Sequence, residues 1–277
     1  MLTPSTFTSV IDSYLPEPHA SLLNGIIFGV NLRTTKEFYQ QLKVVGLLHL
    51  VVLSGINITL LSAMISNITK FLSKLVSTLI TILIIILFVI FVGPQAPIIR
   101  AAFMGVLTHV AIITGRKNYT LYALFLSLLF ILIFWPDWLK TVSLQLSYGA
   151  TLGLILFGQV TIPKKKKKLT KEMIVWDGVK FFIWKELKPS LAAQVFTAPL
   201  IFLYFKQISF ISPLSNILVA PIIPPLMVFG FLTAILGKVN FYLGLPFSYI
   251  CFGLLNYIII IINKLSSLPF VFINFQK

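Results

Sequence analysis

Apolar positions in this chain fall in long unbroken blocks, without the alternation of a half-buried strand or the three-to-four spacing of a surface helix. Blocks such as 75–92, 119–135 and 249–262 approach or reach the length that carries a helix across a hydrocarbon core of about 30 Å at 1.5 Å per residue. Short polar or Gly/Pro-containing stretches separate them. About eight transmembrane helices are predicted, at 43–65, 71–92, 93–114, 119–135, 139–160, 191–205, 210–236 and 241–262. The fold class is therefore an all-α integral membrane protein.

Two of these spans read as discontinuous. The first contains Ser54-Gly55, a pair that weakens a helix in its middle. The seventh carries Pro213, Pro221, Pro224 and Pro225 around Asn216, and broken helices at membrane depth are tolerated mainly where they are buried or line a cavity. Residues 1–42 are only moderately apolar, and 20–30 is too short to span, so this N-terminal outer segment is expected to contribute a helix lying on the membrane. Residues 1–13 lack the basic and apolar regions of a cleaved signal, so insertion is expected to rely on the helices. Residues 43–277 form the polytopic domain, with a basic loop at 163–188 that holds the run 164–168 and an amphipathic stretch at 176–184.

Composition agrees: 58% of the 277 residues are hydrophobic and 10% charged, against about 25% charged in soluble domains. The net charge of +15 follows first from the rule that cytoplasmic loops of membrane proteins collect Lys and Arg. Lys70, Lys74, Arg116, Lys117, the basic residues of 164–188 and Lys238 fall on one side; Arg33, Lys36, Lys43, Lys140, Lys206, Lys264 and Lys277 fall on the other. The richer side is expected in the cytosol, with both termini outside. The run 164–168 then has two readings, an anchor to anionic lipid or a dock for a partner. Cys251 reads as a small core hydrophobe.

His49, Ser54, Asn57, Arg100, His109, Gln145, Gln194 and Asn216 lie inside proposed spans, where polar groups face a bundle interior or a wet cavity, or tie helices together. Gln194 and His109 read more readily as ties. Arg100 stays charged, and Pro94 and Pro97 beside it free backbone carbonyls. It either pairs with phosphate in a cavity or snorkels to the interface. Every acidic residue, Asp12, Glu17, Glu37, Asp137, Glu172, Asp177 and Glu186, lies outside the spans. That disfavours a proton-coupled carrier, which commonly uses an intramembrane carboxylate. It equally disfavours a two-metal nuclease, and His19, His49 and His109 are too scattered for a zinc site. His49 and Ser54 lack the GxSxG elbow of a hydrolase, and no GxxxxGK[ST] occurs. No catalytic residue, metal or cofactor is assigned.

Residues 49–58 read HLVVLSGINI, which resembles the HLLAISGLHI signature of the ComEC competence family of DNA-uptake channels. GPQAPIIRA at 93–101 and QLSY at 145–148 are similar to that family's next two blocks. SLAAQ at 190–194, the 197–199 turn and 216–221 resemble its last conserved stretch. The blocks keep family order across 16–228. One departure is Asn57, where the family commonly has a second His, so titration at that position is lost.

The resemblance implies passage of single-stranded DNA through a bacterial cytoplasmic membrane during natural transformation. The path residues it nominates are His49, Ser54, Gly55, Asn57, Arg100, Gln145, Ser147 and Asn216. It also implies an outer DNA-binding receptor, a cytosolic helicase-like motor and a separate nuclease, since the OB-like and metallo-β-lactamase-like domains of longer members fall outside these residues and only the transmembrane module is expected here. Assembly into a homo-oligomer is left open. The competing readings are a small-solute permease and a nonfunctional remnant of a competence channel.

Overall fold

The computed structural model describes residues 3–51, 55–115, 119–158, 171–209, 211–268 and 272–274. Its helices in chain order are α1 (Pro4–Tyr14), α2 (His19–Phe28), α3 (Lys36–Val44), α4 (Leu48–Val51), α5 (Gly55–Ile68), α6 (Lys74–Val92) and α7 (Ala96–Thr114). There follow α8 (Thr120–Phe134), α9 (Val142–Phe157), α10 (Lys171–Phe205), α11 (Ser212–Val219), α12 (Ile223–Val239) and α13 (Phe241–Ser266). Two short strands, β1 (Gln207–Ser209) and β2 (Phe272–Asn274), pair antiparallel with Ile208 opposite Ile273. This ribbon ties the end of α10 to the chain beyond α13, so both helices finish at the same face of the bundle.

Local sequence sets the boundaries. Thr35 caps α3, accepting from the Phe38 amide, and Asn240 caps α13, accepting from that of Tyr242; each satisfies an orphan donor of a first helical turn. Pro97 starts α7, and Gly115, at φ 65°, ends it. Four elements are long and apolar enough to cross a membrane: α6, α7, the α11–α12 unit and α13. The shorter apolar helices include α2, α8 and α9, with residues 57–68 of α5. The described residues of the eight predicted spans are mostly helical, with four elements rather than eight long and apolar enough to cross. The seventh is interrupted by a 3-10 turn at Ala220–Ile222, between α11 and α12. The first holds α4 and α5, and residues 52–54 between them lie outside the described residues.

The N-terminal segment is built into the bundle through its short apolar helix. In α2, Ala20 to Phe28 are all buried, and Leu22, Leu23, Ile26 and Ile27 join one core with Ile223, Leu226, Leu255 and Ile262 of α12 and α13. A short helix that is apolar on every face gains most when it is covered on every face. In front of it, α1 lies along α12. A Cβ at Gly237 would stand 2.7 Å from the Tyr14 ring, and Tyr14 stacks on Phe241 and donates to its carbonyl.

A second difference concerns the basic stretch. Residues 159–170, with the lysine run 164–168, lie outside the described residues; from Lys171 the backbone is already helical and continues past Pro189 and Pro199 to Phe205. Helix α10 packs along α9 at very close range, because a Cβ on Gly153 would land on the Ala192 carbonyl oxygen. Small residues permit such approach where no hydrophobic effect drives helices together. Helices α5, α6 and α7 share a separate core of Ile58, Leu61, Ile85, Phe88 and Ile98. By contrast, α6 turns Leu79, Leu83, Leu87 and Ile90 outward, as a wall facing lipid requires.

Candidate functional site

Arg100, one turn into α7, is 6% exposed. Its Nη1 donates to the Thr151 hydroxyl of α9 and reaches Met104 Sδ at 4.0 Å. The guanidinium carbon lies 5.8 Å from the centroid of the Tyr148 ring, close enough for a cation–π attraction. Thr151 passes its own proton to the Ser147 carbonyl at 2.8 Å, so its oxygen is free to accept from the arginine. Nε is buried with no partner. Among the described residues no carboxylate pairs with the guanidinium.

Tyr148 is itself held in place. Its hydroxyl is 2.9 Å from Ser127 Oγ, and Ser127, 0% exposed, spends its proton on the Leu124 carbonyl at 2.7 Å. The phenol is therefore the donor, and α8, α9 and α7 are joined through Ser127, Tyr148 and Arg100. On the opposite flank stands Gly55, the first residue of α5. A Cβ there would come within 2.8 Å of Arg100 Nη2 and 3.3 Å of the Ala101 methyl. Glycine lets the backbone of the first span close directly over the guanidinium.

Of the residues nominated from sequence, Gly55, Arg100 and Ser147 meet here, Ser147 through its carbonyl. Gln145 lies one turn away on α9, donating to the Leu139 carbonyl at 3.1 Å and accepting from the Tyr204 hydroxyl at 2.6 Å. The other described residues face elsewhere. Asn57, 2% exposed, donates to the Ile26 carbonyl of α2 at 2.7 Å. Asn216 donates to Ser190 of α10 at 3.1 Å, leaving its own carbonyl oxygen buried and unpaired. His49 is exposed and bonds the Gly46 carbonyl at 2.9 Å. Ser54 lies outside the described residues.

Sequence reasoning did not single out Tyr148, Thr151, Ser127 or Tyr204. Gln145, Tyr148 and Thr151 recur at every third position of α9, a signal for one polar face, but Tyr and Thr are common enough in membrane helices to carry little weight alone. Among the described residues, no three His, Cys, Asp or Glu side chains gather as a metal site would need.

A family model for competence proteins matches residues 26–277. The chain belongs to the competence protein family. The resemblance read from 49–58, 93–101 and 145–148 is thereby borne out, and Gly55 and Tyr148 of those blocks each stand beside Arg100. A curated relative of this competence-family chain, ComE operon protein 3 of Bacillus subtilis (strain 168), is 25% identical over 262 residues; these are 94% of this chain and 31% of that protein. The chain thus spans under a third of that relative's length. No solved structure matches it.

Proposed function

We propose that this chain is the membrane-embedded conduit for single-stranded DNA in natural transformation, with the phosphodiester backbone as the group it handles. The observation that carries this reading is Arg100: a permanent cation enclosed by Thr151, Tyr148 and Gly55, with a spare donor and, among the described residues, no carboxylate partner. A phosphate supplies the charge and the fork of acceptors that this guanidinium lacks. Membership of the competence family supports the same reading.

A conduit for a polyanion must bind it strongly enough to admit it and weakly enough to release it. One fixed cation among neutral hydroxyls meets both conditions better than a basic lining. The arrangement is closed, with Gly55 sealing the guanidinium, and conduction requires α5 to draw back from α7. The conduit sits in a bacterial cytoplasmic membrane with both termini outside, works passively, and takes DNA from an outer receptor towards a cytosolic motor. Strand degradation is assigned to a nuclease domain or protein distinct from this membrane-embedded region.

The direct test is release of a fluorescent single-stranded oligonucleotide from vesicles carrying the purified chain, over a range of salt. A single phosphate contact contributes a slope of about −0.7 to log affinity against log salt for single strands. Arg100→Leu is expected to remove that increment and most of the flux. Equal flux and slope in both proteins would refute the assignment.

A further inference from the structure

The interface between α5, α6 and α7 carries a second set of polar groups that no step above uses. Ser62 Oγ is 2.7 Å from His109 Nε2, Ser66 Oγ is 3.3 Å from Thr81 Oγ1, and Thr69 Oγ1 is 2.7 Å from Ser77 Oγ. Ser62, Ser66 and Thr69 follow at four and three residues, so the rungs climb one face of α5 over about 10 Å at 1.5 Å per residue. Exposed Lys70 and Lys74 flank the lowest rung. Their ammonium groups mark the membrane edge, since they remain in water.

The protons are distributed unevenly along this ladder. Thr69 donates to the Ile65 carbonyl and Thr81 to the Ser77 carbonyl, so their hydroxyl protons are committed to helix backbone. Ser77 must then donate to Thr69, and Ser66 to Thr81. Those two serine protons rest on other hydroxyls and can turn to an incoming acceptor without breaking a backbone bond. At the top, His109 is 8% exposed and its Nδ1 is buried with no partner, whichever tautomer it holds. His109 thus keeps one ring nitrogen that the helix contact does not use. Above it, Gly105 packs against Ile58 and Ile85, each at 3.8 Å from a Cβ built there, so the polar seam gives way to the apolar core of α5, α6 and α7.

We infer that this seam is a second anion-accepting site, a hydroxyl-lined vestibule for a phosphodiester that enters or leaves between Lys70 and Lys74 and reaches no further than His109. It rests on the conduit reading for the identity of its ligand, and on geometry for its preference for anions. Lys70 and Lys74 concentrate the anion at the mouth, Ser77 and Ser66 donate to it in turn, and His109 closes the far end.

The test is thiol accessibility in the full chain with Cys251→Ala, comparing Ser66→Cys and Ser77→Cys with exposed Ser73→Cys and lipid-facing Leu79→Cys. Membrane-impermeant anionic and cationic thiosulfonates are added at the Lys70 face, and each rate is divided by that with a free thiol. A vestibule predicts labelling at 66 and 77 with the anionic reagent preferred roughly tenfold, a preference lost when Lys70 and Lys74 are both changed to Gln. Silence at both positions while Ser73→Cys reacts overturns the inference and leaves a packed seam. Slowing by a single-stranded oligonucleotide, and not by inorganic phosphate at equal phosphorus concentration, assigns the ligand as the strand. Anion preference with slowing by phosphate alone keeps the vestibule but contradicts the conduit reading, so the two failures are separable.

Discussion

A guanidinium offers five N–H donors, and Arg100 spends one on Thr151 and leaves Nε without a partner. Burying a charge so poorly matched costs more than burying an apolar side chain of the same volume. Arg100→Met is therefore expected to leave the melting temperature in detergent unchanged or raised by a few degrees; a clear fall would show that the residue is kept as a helix tie. Asn57 should behave in the opposite way. Its donor satisfies the Ile26 carbonyl in a buried position, and Asn57→Leu orphans that carbonyl at about 1–3 kcal/mol, to be read as reduced resistance to denaturant. Arg100 was legible in the sequence because arginine is rare inside an apolar block. Tyr148 and Thr151 were not, since only the folded contact separates them from ordinary residues of a membrane helix.

At the scale of elements, close contact between α9 and α10 holds Gln145 and the Tyr148 face in position. Gly153→Leu would drive a side chain into the Ala192 backbone, and overpacking of that kind costs about 1–3 kcal/mol; disulfide trapping between cysteines placed in α9 and α10 should fail in that variant and succeed in the parent. Tyr204→Phe removes only the bond to Gln145, for about 0.5–1.5 kcal/mol, and should leave trapping intact. Unbroken apolar blocks made the spans readable, and the prolines of 213–225 announced the interrupted α11–α12 unit. The packing of α2 against α12 and α13 was hidden because ten apolar residues do not name their partners, and only the folded contact shows them. The helical continuation of α10 through Lys185, Lys188 and Pro189 was obscured by a composition that reads locally as loop.

For the whole molecule, the N-terminal hairpin, α12 and α13 form one core, and α5, α6 and α7 another. Arg100 lies where α7 meets α9 and the start of α5, so a separation of α5 from α7 would uncover the guanidinium and part the Ser62–His109 rung. The most direct measurement is entry of labelled DNA into the cytosol of a transformable cell lacking its own competence membrane channel, with the nuclease domain supplied separately, comparing this chain and its Arg100→Leu form at equal membrane abundance. Uptake by the parent and its loss in Arg100→Leu is the result predicted. Equal uptake by both, or none by a parent chain that inserts normally, would contradict a conduit built around this arginine.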